Sequence, residues 1–404
     1  MIFALRLLAY RLVKPFQWPT SRVVPIPRPT TFVGPGSALK LCDSIAQFGL
    51  KRVLIVTDAV LVKLGIVEPL RAALAERGVA VAVHDGITPD PTHDVLQRGY
   101  EAARTHGSDA ILAVGGGSVI DAAKVIDAMI VSGKSPAKLV GMLKVGKPML
   151  PLFVIPTTAG TGSEVTVAAV VTDPVKHAKA PVIDPKLVPA AAALDPLLTT
   201  GMPKSITAAT GMDALTHAVE AYTNRWPHAE TPFHAVSAVR MIFANLPRAC
   251  ANGDDLEARE AMLLASFYAG LAFTKAYVGY VHAFSHKVGG MYGVPHGLGN
   301  AILLPYVLDF LKDAPLAEQR LAELAVAIGA GNASESKSVL AQRFVERVRE
   351  LNRTVGIPEK LEALKPGDVH EVARAAMIEA HRDYPVPKNM RLPEAEALLR
   401  RCLA

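Results

Sequence analysis

The sequence predicts an α/β domain with a parallel sheet, followed by an all-helical domain. Between residue 52 and about residue 160, short apolar runs alternate with amphipathic stretches, which is the pattern of strands joined by crossover helices. After residue 200, β-branched runs become scarce, and Ala, Leu, Glu and Arg recur at helical spacing to the end. We therefore expect a basic and apolar extension at residues 1–30, an α/β domain at residues 31–200 and a helical domain at residues 201–404.

The strands of the first domain are predicted from apolar runs that end in polar or glycine-rich turns. They are expected at RVLIVTD, VAVAVHD, DAILAVGGGS and PLFVIPTT. The intervening helices are expected at residues 59–77, 91–106 and 119–131. Because parallel strands need crossover connections, these units predict right-handed βαβ packing with helices on both faces of the sheet.

The second domain is predicted to contain only helices. No repeat of fixed period is present, which argues against a solenoid. The expected helices lie at residues 204–223, 232–244, 255–273, 316–328, 335–352 and 368–381.

The composition is that of an ordinary globular protein, and its charge gives no basis for binding nucleic acid. Half of the 404 residues are hydrophobic and 20% are charged, which excludes disordered, collagen-like and disulfide-scaffold classes. The net charge of +6 arises before Asp43, the first acidic residue, and the rest of the chain is balanced. Cys42, Cys250 and Cys402 show no paired spacing, which favours a reducing compartment, and the cytoplasm is expected.

Residues 1–30 contain Arg6 and Arg11 within an apolar beginning. No stretch of the chain reaches the ~20 apolar residues of a membrane span, and the charges do not precede the apolar run as in a secretory signal. We interpret the extension as a helix that packs on the main body, followed by a Pro-rich connector. Weak association with a membrane surface and an organelle transit peptide are the alternatives.

Three consecutive glycines and a serine lie between a predicted strand and a predicted helix, at Gly115, Gly116, Gly117 and Ser118. Backbone amides at a helix N-terminus, with no side chains on the glycines, form a site that a pyrophosphate can approach closely. A capping box between Ser118 and Asp121 is the structural alternative, and both interpretations can hold together. The turn differs from the G-x-G-x-x-G fingerprint.

A second polar turn, PTTAGTGSE, follows the next strand and includes Thr157 and Thr158. Open α/β sheets bind ligands at the carboxyl ends of their strands, so two such turns favour a Rossmann-like, dinucleotide-binding sheet. Asp58 ends the first strand of this series. Its carboxylate either accepts hydrogen bonds from a ribose diol, which favours NAD over NADP, or caps the following helix.

Histidines and an aspartate recur with metal-ligand spacing in the helical half. Asp213 and His217 are four residues apart on a predicted helix, and His282 and His286 repeat that spacing before His296. A single histidine on an apolar face is usually part of the core, but this combination is more typical of a metal site. Three imidazoles and one carboxylate suit Fe²⁺ or Zn²⁺ and leave room for a substrate oxygen.

The motifs GGGSVIDAAK, PTTAGTGSE, GMDALTHAVEAY and HAFSHKVGGMYGVPHG occur in this order. From about residue 31 to the end, the chain resembles the iron-containing, or group III, alcohol dehydrogenases. The resemblance implies an N-terminal dinucleotide-binding domain, a C-terminal helical domain and a metal in the cleft between them. It also implies hydride transfer between an alcohol/aldehyde pair and NAD(H), in an assembly that is at least a dimer.

The resemblance further implies residue roles. His286 is expected near the nicotinamide, where we predict that it acts catalytically by relaying a proton. The expected cofactors are NAD and Fe²⁺, with Zn²⁺ as the alternative metal. The implied metal ligands are Asp213, His217, His282 and His296. The predicted cofactor contacts are Asp58, Gly115, Gly116, Gly117, Ser118, Asp121, Thr157, Thr158 and Lys179.

Two departures from the family pattern flank the expected pocket. Lys287 replaces a common proline, and Thr274-Lys275-Ala276 stands where many members have an Asn-Ala pair. They leave the identity of the alcohol or aldehyde open. A hydroxyacid-oxoacid transhydrogenase is the closest alternative. A lyase related to the dehydroquinate synthases is disfavoured, because few basic residues lie near the metal motifs, and a non-catalytic binding protein is disfavoured because the ligand residues are present.

Overall fold

The computed structural model describes residues 25–173, 178–226 and 228–404, together with residues 3, 6, 7, 9 and 10. Most of the predicted extension therefore lies outside the described residues. Its described positions are helical, Leu7 is buried, and the guanidinium of Arg374 lies 5.5 Å from the centre of the Phe3 ring. These positions thus pack against the chain near its C-terminus.

From residue 25 onward, the described chain contains nine strands and fifteen α-helices. The strands are β1 Thr30–Val33, β2 Arg52–Val56, β3 Ala80–His84, β4 Ala110–Gly115, β5 Gly141–Met142, β6 Leu152–Pro156, β7 Ala168–Asp173, β8 Ala178–Ile183 and β9 Ala191–Leu194. The helices are α1 Ser37–Gln47, α2 Ala59–Lys63, α3 Glu68–Glu76, α4 His93–His106, α5 Gly117–Ser132, α6 Pro136–Leu139, α7 Lys204–Thr223, α8 Thr231–Ala251, α9 Leu256–Ala276, α10 Tyr280–Tyr292, α11 His296–Leu311, α12 Pro315–Ala327, α13 Lys337–Val355, α14 Val369–Asp383 and α15 Leu392–Cys402.

Six strands form a parallel sheet in the order β1-β9-β6-β4-β2-β3. Alternate side chains of β2 enter two different cores, since Leu54 and Val56 pack with α4 and α5, whereas Val53 and Ile55 pack with α1 and α3. Helices therefore cover both faces of the sheet, and the predicted α/β fold class is confirmed. A smaller sheet has the order β5-β8-β7.

The α/β elements differ from the sequence prediction in several places, since one predicted helix is divided and β1, β5, β7, β8, β9, α1 and α6 were not among the predicted elements. The helix expected at residues 59–77 is two helices, α2 and α3, because Gly65 between them has a left-handed φ of 74°. The strand β9, second from one edge of the sheet, was not predicted, because its sequence is mostly alanine, which has low strand propensity. Backbone hydrogen bonds to β1 on one side and β6 on the other stabilise the strand conformation, which the alanine-rich sequence does not favour.

The chain divides into two compact units. The α/β unit comprises residues 25–202 and 253–267, and the helical unit comprises residues 203–252 and 268 to the end together with the first residues of the chain. The first half of α9 thus belongs to the α/β unit. The helical half is confirmed as all-helical, but α10, α11 and α15 were not among the predicted helices.

The structure also describes the cysteines and the apolar helices. The three cysteines are buried and free. Among the described residues, no single helix has the length and apolar composition of a membrane span, although α9 and α10, which meet at a sharp bend, satisfy those criteria when they are taken as a pair.

Candidate functional site

The glycine turn predicted to bind phosphate lies at the N-terminus of α5. The helix begins at Gly117, and Gly116 is its N-cap residue without a capping side chain. A Cβ on Gly117 would lie 2.5 Å from the side chain of Thr161, and one on Gly116 would lie 3.3 Å from that of Thr158. The absence of side chains therefore lets the second turn, PTTAGTGSE, pack directly against the first.

The two polar turns lie side by side because their strands are neighbours. β4 pairs with β6, and the N–H of Thr157 donates to the carbonyl of Gly115 at 3.1 Å. Carboxyl ends of parallel strands meet at one edge of a sheet, as expected from the sequence. The first amides of α5 lack intrahelical acceptors and lie at this edge, where an anionic group could accept their hydrogen bonds.

The predicted capping box does not form. The helix begins one residue before Ser118, so this serine lies inside the first turn, and its Oγ accepts a hydrogen bond from the N–H of Asp90 at 3.4 Å. Asp121 instead accepts from Ser163 Oγ at 2.6 Å and from the N–H of Val170 at 2.8 Å. Asp121 thus ties the loop after β6 to α5.

Lys124 fastens the same loop and was not predicted from the sequence. Its fully buried ammonium donates to the carbonyls of Ser163, Thr166 and Ala168 at 2.6–2.9 Å. Burial lowers the pKa of Lys124 to about 8 and raises the pKa of the buried Glu164 to about 7. The signal available in the sequence was a lysine among the mainly apolar residues of α5.

Asp58 caps α2 through Oδ1, which accepts from the N–H groups of Val60 and Leu61 at 2.9 and 3.0 Å. The capping alternative is therefore confirmed, and ribose binding stays a prediction. The side chain of Lys179, another predicted cofactor contact, lies outside the described residues.

The four predicted metal ligands converge within the helical unit. Asp213, His217, His282 and His296 each offer one ligand atom, and these atoms all lie within 4.8 Å of one another. Oδ1 of Asp213 is 3.9 Å from Nε2 of His282 and 3.7 Å from Nε2 of His296. Three of the side chains are buried, and His296 is partly exposed.

Three helices bring these ligands together. Asp213 and His217 are one turn apart on α7, His282 lies in the first turn of α10, and His296 begins α11. Next to His296, Gly297 lies so close to α7 that a Cβ would be 2.5 Å from the carbonyl oxygen of Ala209. The glycine permits the close approach that brings His296 to Asp213.

The donor set fits a divalent ion. The side-chain nitrogen of Asn300 donates to Oδ1 of Asp213 at 2.6 Å and lies 3.2 Å from Nε2 of both His282 and His296. A positively polarised N–H group thus sits where the lone pairs of three ligands point. Three imidazoles and one carboxylate are a ligand set for Fe²⁺ or Zn²⁺.

Glu220, on the same helix as Asp213 and His217, adds a second carboxylate that the sequence reasoning missed. It accepts a hydrogen bond from Nδ1 of His282 at 2.6 Å. Burial raises the pKa of Glu220 to about 8. Its place seven residues after Asp213, on the same helical face, was the signal that could have identified it.

His286, the predicted catalytic residue, lies beside the cluster. Its ring stacks on that of His296, with centroids 5.3 Å apart. Nδ1 of His286 donates to Glu379 at 2.6 Å, and Glu379 also contacts Lys287 Nζ at 3.3 Å and the Tyr384 hydroxyl at 2.7 Å. Burial alone would raise the pKa of Glu379, but the charges of His286 and Lys287 lower it to about 2.

The aromatic and lysine residues near the metal-ligand motifs in the sequence have different surroundings. Phe273 stacks on His217 with centroids 4.3 Å apart, whereas Phe284 is fully buried in the core. Lys275 forms an ion pair with Glu230 at 2.6 Å. Both departures from the family pattern, Lys275 and Lys287, therefore carry charges that a glutamate compensates.

A parallel α/β unit with two polar turns, together with an Asp-His₃ cluster on helices, is the arrangement expected of a metal-dependent dehydrogenase. The model "iron-containing alcohol dehydrogenase" matches residues 28–196, and "Fe-containing alcohol dehydrogenase family, C-terminal" matches residues 207–403. The chain belongs to the iron-containing alcohol dehydrogenase family.

Relatives support the same assignment. The chain is 38% identical to the NAD-dependent methanol dehydrogenase of Bacillus methanolicus over 82% of its own length and 86% of the relative's. It is 36% identical to the lactaldehyde reductase of Escherichia coli strain K12, over 86% and 91% of the two chains. The structure of the alcohol dehydrogenase from Oenococcus oeni superimposes with a TM-score of 0.90 at 33% identity, over 94% of this chain and all of that one. The chain is thus an oxidoreductase that transfers a hydride between an alcohol/aldehyde pair and NAD(H), with iron as the family's metal.

Proposed function

We propose that this alcohol dehydrogenase acts on a primary alcohol and its aldehyde, and that Asp213, His217, His282 and His296 hold its metal ion. The observation that carries the proposal is the convergence of their ligand atoms within 4.8 Å. Relatives named for methanol and lactaldehyde support a primary alcohol or an aldehyde as the substrate.

The chemistry divides between the cofactors and the chain. When bound, the divalent ion supplies Lewis-acid polarisation of the alcohol oxygen, and NAD⁺ supplies the hydride acceptor. The side chains that surround the ligands fix their orientation. Phe273 packs flat on His217 and excludes water from that side of the imidazole.

We assign the proton relay to His286. Since its Nδ1 donates to Glu379, its Nε2 atom is the acceptor that can take a proton from the substrate side. The carboxylate therefore selects the tautomer that a general base requires, as in other histidine–carboxylate pairs.

We assign dinucleotide binding to the α/β unit and metal binding to the helical unit. The amides at the start of α5 are suited to a pyrophosphate, with Gly115, Gly116, Gly117 and Ser118 forming the turn. Thr157 and Thr158 border it, and Asp121 fixes the adjoining loop. Asp58 would favour NAD, because its negative charge repels a 2′-phosphate.

The hydroxyacid-oxoacid transhydrogenase remains the alternative within the family. An alcohol dehydrogenase releases one NADH for each aldehyde formed, whereas a transhydrogenase retains the nicotinamide through its cycle. Stoichiometric release of NADH during alcohol oxidation therefore separates the two. The lyase is disfavoured, because Lys275 and Lys287 are each paired with a glutamate.

The test combines metal analysis with a panel of primary alcohols, hydroxy acids and aldehydes. We expect about one Fe²⁺ or Zn²⁺ per chain and reduction of NAD⁺ with primary alcohols. His282→Ala should lose both metal and activity, whereas the exposed His370→Ala, which removes another histidine–glutamate pair, should keep both. Retention of metal and activity by His282→Ala would contradict the ligand assignment.

We further propose a cytoplasmic protein that is at least a dimer. Three buried, free cysteines support a reducing compartment. Sedimentation equilibrium of the full chain tests the assembly state, and a monomer at micromolar concentration would exclude a stable dimer. Co-sedimentation with anionic vesicles tests the alternative that residues 1–30 associate weakly with membranes.

A further inference from the structure

We propose that Glu220 is a positioning residue of the metal centre, which holds His282 in the orientation and tautomer that present Nε2 to the ion. The inference rests on the proposed function, because it takes His282 as a metal ligand. Glu220 itself is not proposed as a ligand, because its carboxylate accepts a hydrogen bond from Nδ1 of His282, on the side of the ring opposite Nε2.

The contacts of Glu220 determine which nitrogen of His282 is available. The glutamate is buried, and its Oε2 accepts the Nδ1 hydrogen of His282 at 2.6 Å. With Nδ1 protonated, the lone pair of the neutral ring lies on Nε2. Nε2 is the atom on the side of Asp213, 3.9 Å from its Oδ1. The hydrogen bond therefore sets the tautomer that metal binding needs.

Glu220 also fixes the backbone that carries the ligand. Its carboxylate accepts the N–H groups of Gly279 and Val281, both at 2.7 Å. These amides lie at the start of α10, where N–H groups lack intrahelical acceptors. A Cβ on Gly279 would lie 2.8 Å from Oε1 of Glu220, so the glycine gives the carboxylate its room. One side chain of α7 thus anchors both the ring of His282 and the beginning of its helix.

Charge balance supports the same role. A divalent ion held by three neutral imidazoles and Asp213 leaves net positive charge in a buried site. A bound divalent ion would favour the ionised form of Glu220, and this second carboxylate, hydrogen-bonded to His282, would then offset the positive charge and strengthen the imidazole as an electron-pair donor to the metal. Glutamine at position 220 would keep the size of the side chain, but it has only one acceptor oxygen for three donors and no charge.

The experiment measures Co²⁺ binding to the full-length apo-protein by competition with a chelator and by absorption spectroscopy. We expect Glu220→Gln to bind Co²⁺ 10- to 100-fold more weakly than the wild type, with a changed absorption spectrum. The matched control is Glu396→Gln, which removes the charge from the acceptor of the 2.8 Å hydrogen bond between Nδ1 of the exposed His370 on α14 and Glu396 on α15. The control should bind Co²⁺ as the wild type does.

The outcomes separate this inference from the proposed function. If the wild type binds Co²⁺ and Glu220→Gln binds it equally well with the same spectrum, the positioning role is wrong and the ligand set stands. If the wild type binds no Co²⁺, both are wrong. Should Glu220→Gln fail to fold, ¹⁵N-histidine spectra of the Zn²⁺-loaded wild type decide. His282 is expected to carry its proton on Nδ1, and an unprotonated Nδ1 would overturn the inference.

Discussion

At the level of single residues, the carboxylate of Glu379 orients a histidine beside the metal cluster. Glu379 accepts hydrogen bonds from His286 and Tyr384 and lies 3.3 Å from the ammonium of Lys287. Since its pKa is lowered to about 2, the carboxylate is charged throughout the neutral range and can hold His286 in one orientation. This gives Lys287, which departs from the family pattern, a structural role.

Glu379→Gln should lower kcat by about tenfold, a part of the roughly 10²–10⁴-fold that a general acid–base group contributes. The amide no longer holds the His286 ring through a charged hydrogen bond, but it leaves the four metal ligands untouched. Steady-state kinetics and metal analysis of the same preparation check this, and Glu396→Gln is the control. An unchanged kcat in both Glu379→Gln and His286→Ala would show that His286 does not relay the proton.

A second residue-scale feature is the buried carboxyl of Asp127 in the middle of α5. Its Oδ1 accepts from the N–H of Leu150 at 3.1 Å, and Oδ2 has no partner among the described residues. Burial raises the pKa of Asp127 from 3.8 to about 8. The folded protein therefore keeps this group protonated at pH values where the unfolded chain has ionised it.

Asp127 should make stability fall as the pH rises. The contribution of the protonated Asp127 carboxyl to the free energy of unfolding is fully present below about pH 4. It is lost progressively up to about pH 8, because only the unfolded state releases the proton in that range. An asparagine at this position would not titrate, so the thermal midpoint of Asp127→Asn should rise relative to the wild type from pH 5 to pH 8. Circular dichroism melts measure this difference. A constant difference across that range would show that Asp127 is not protonated in the fold.

At the scale of elements, the cluster depends on how closely α11 approaches α7. His296 begins α11, and Gly297 follows it with its Cα against the backbone of Ala209. The backbone atoms of Ala209 cannot move away from an added Cβ as the end of a flexible side chain can. The distance between the two helices, and with it the gap between Asp213 and His296, is therefore set by the missing side chain at position 297.

Gly297→Ala should separate the two helices and weaken metal binding. The added Cβ, 2.5 Å from a carbonyl oxygen, forces a backbone shift that costs about 1–3 kcal/mol of stability. Thermal unfolding and Co²⁺ titration measure the two effects. Gly367→Ala is the control, because no heavy atom lies within 4 Å of its added Cβ. Equal Co²⁺ affinity in the two variants would mean that the helix spacing does not govern the site.

At the scale of the whole molecule, the chain consists of two compact units, each with a set of proposed ligand contacts of its own. All four proposed metal ligands belong to the helical unit, and the glycine turn with its neighbouring loop belongs to the α/β unit. A ligand that binds only the folded form stabilises the unit that holds it.

Removal of the metal should therefore lower the thermal stability of the helical unit. At a free metal concentration of about 100 Kd the loss is about 2.7 kcal/mol, or roughly 5–10 °C in the midpoint of a unit of this size. Calorimetry with and without a chelator measures it, and readdition of Fe²⁺ or Zn²⁺ should restore the midpoint. Equal midpoints for the metal-loaded and chelated proteins would mean that the folded chain does not bind the ion.

Part of the fold could be predicted because local patterns were strong. α7 was predicted with its observed bounds, since its start after Pro203 and its helix-forming residues are local properties. By contrast, α10 and α11 were not among the expected helices. No residue of α11 is exposed, so the helix has no solvent-facing polar face that would reveal a helical period. Glycines interrupt both segments, and α11 also contains Pro305.

The parallel α/β fold, the helical half and five chemically distinctive residues between Asp213 and His296 could be predicted from local patterns, because spacing along a helix and turn chemistry are local properties. Only the tertiary structure showed that four of these side chains converge on one point, and that Glu220 and Glu379 orient two of the histidines. Those contacts join residues that lie 62 and 93 positions apart along the chain. Such contacts depend on how separate helices pack against one another, and no local sequence pattern specifies that packing.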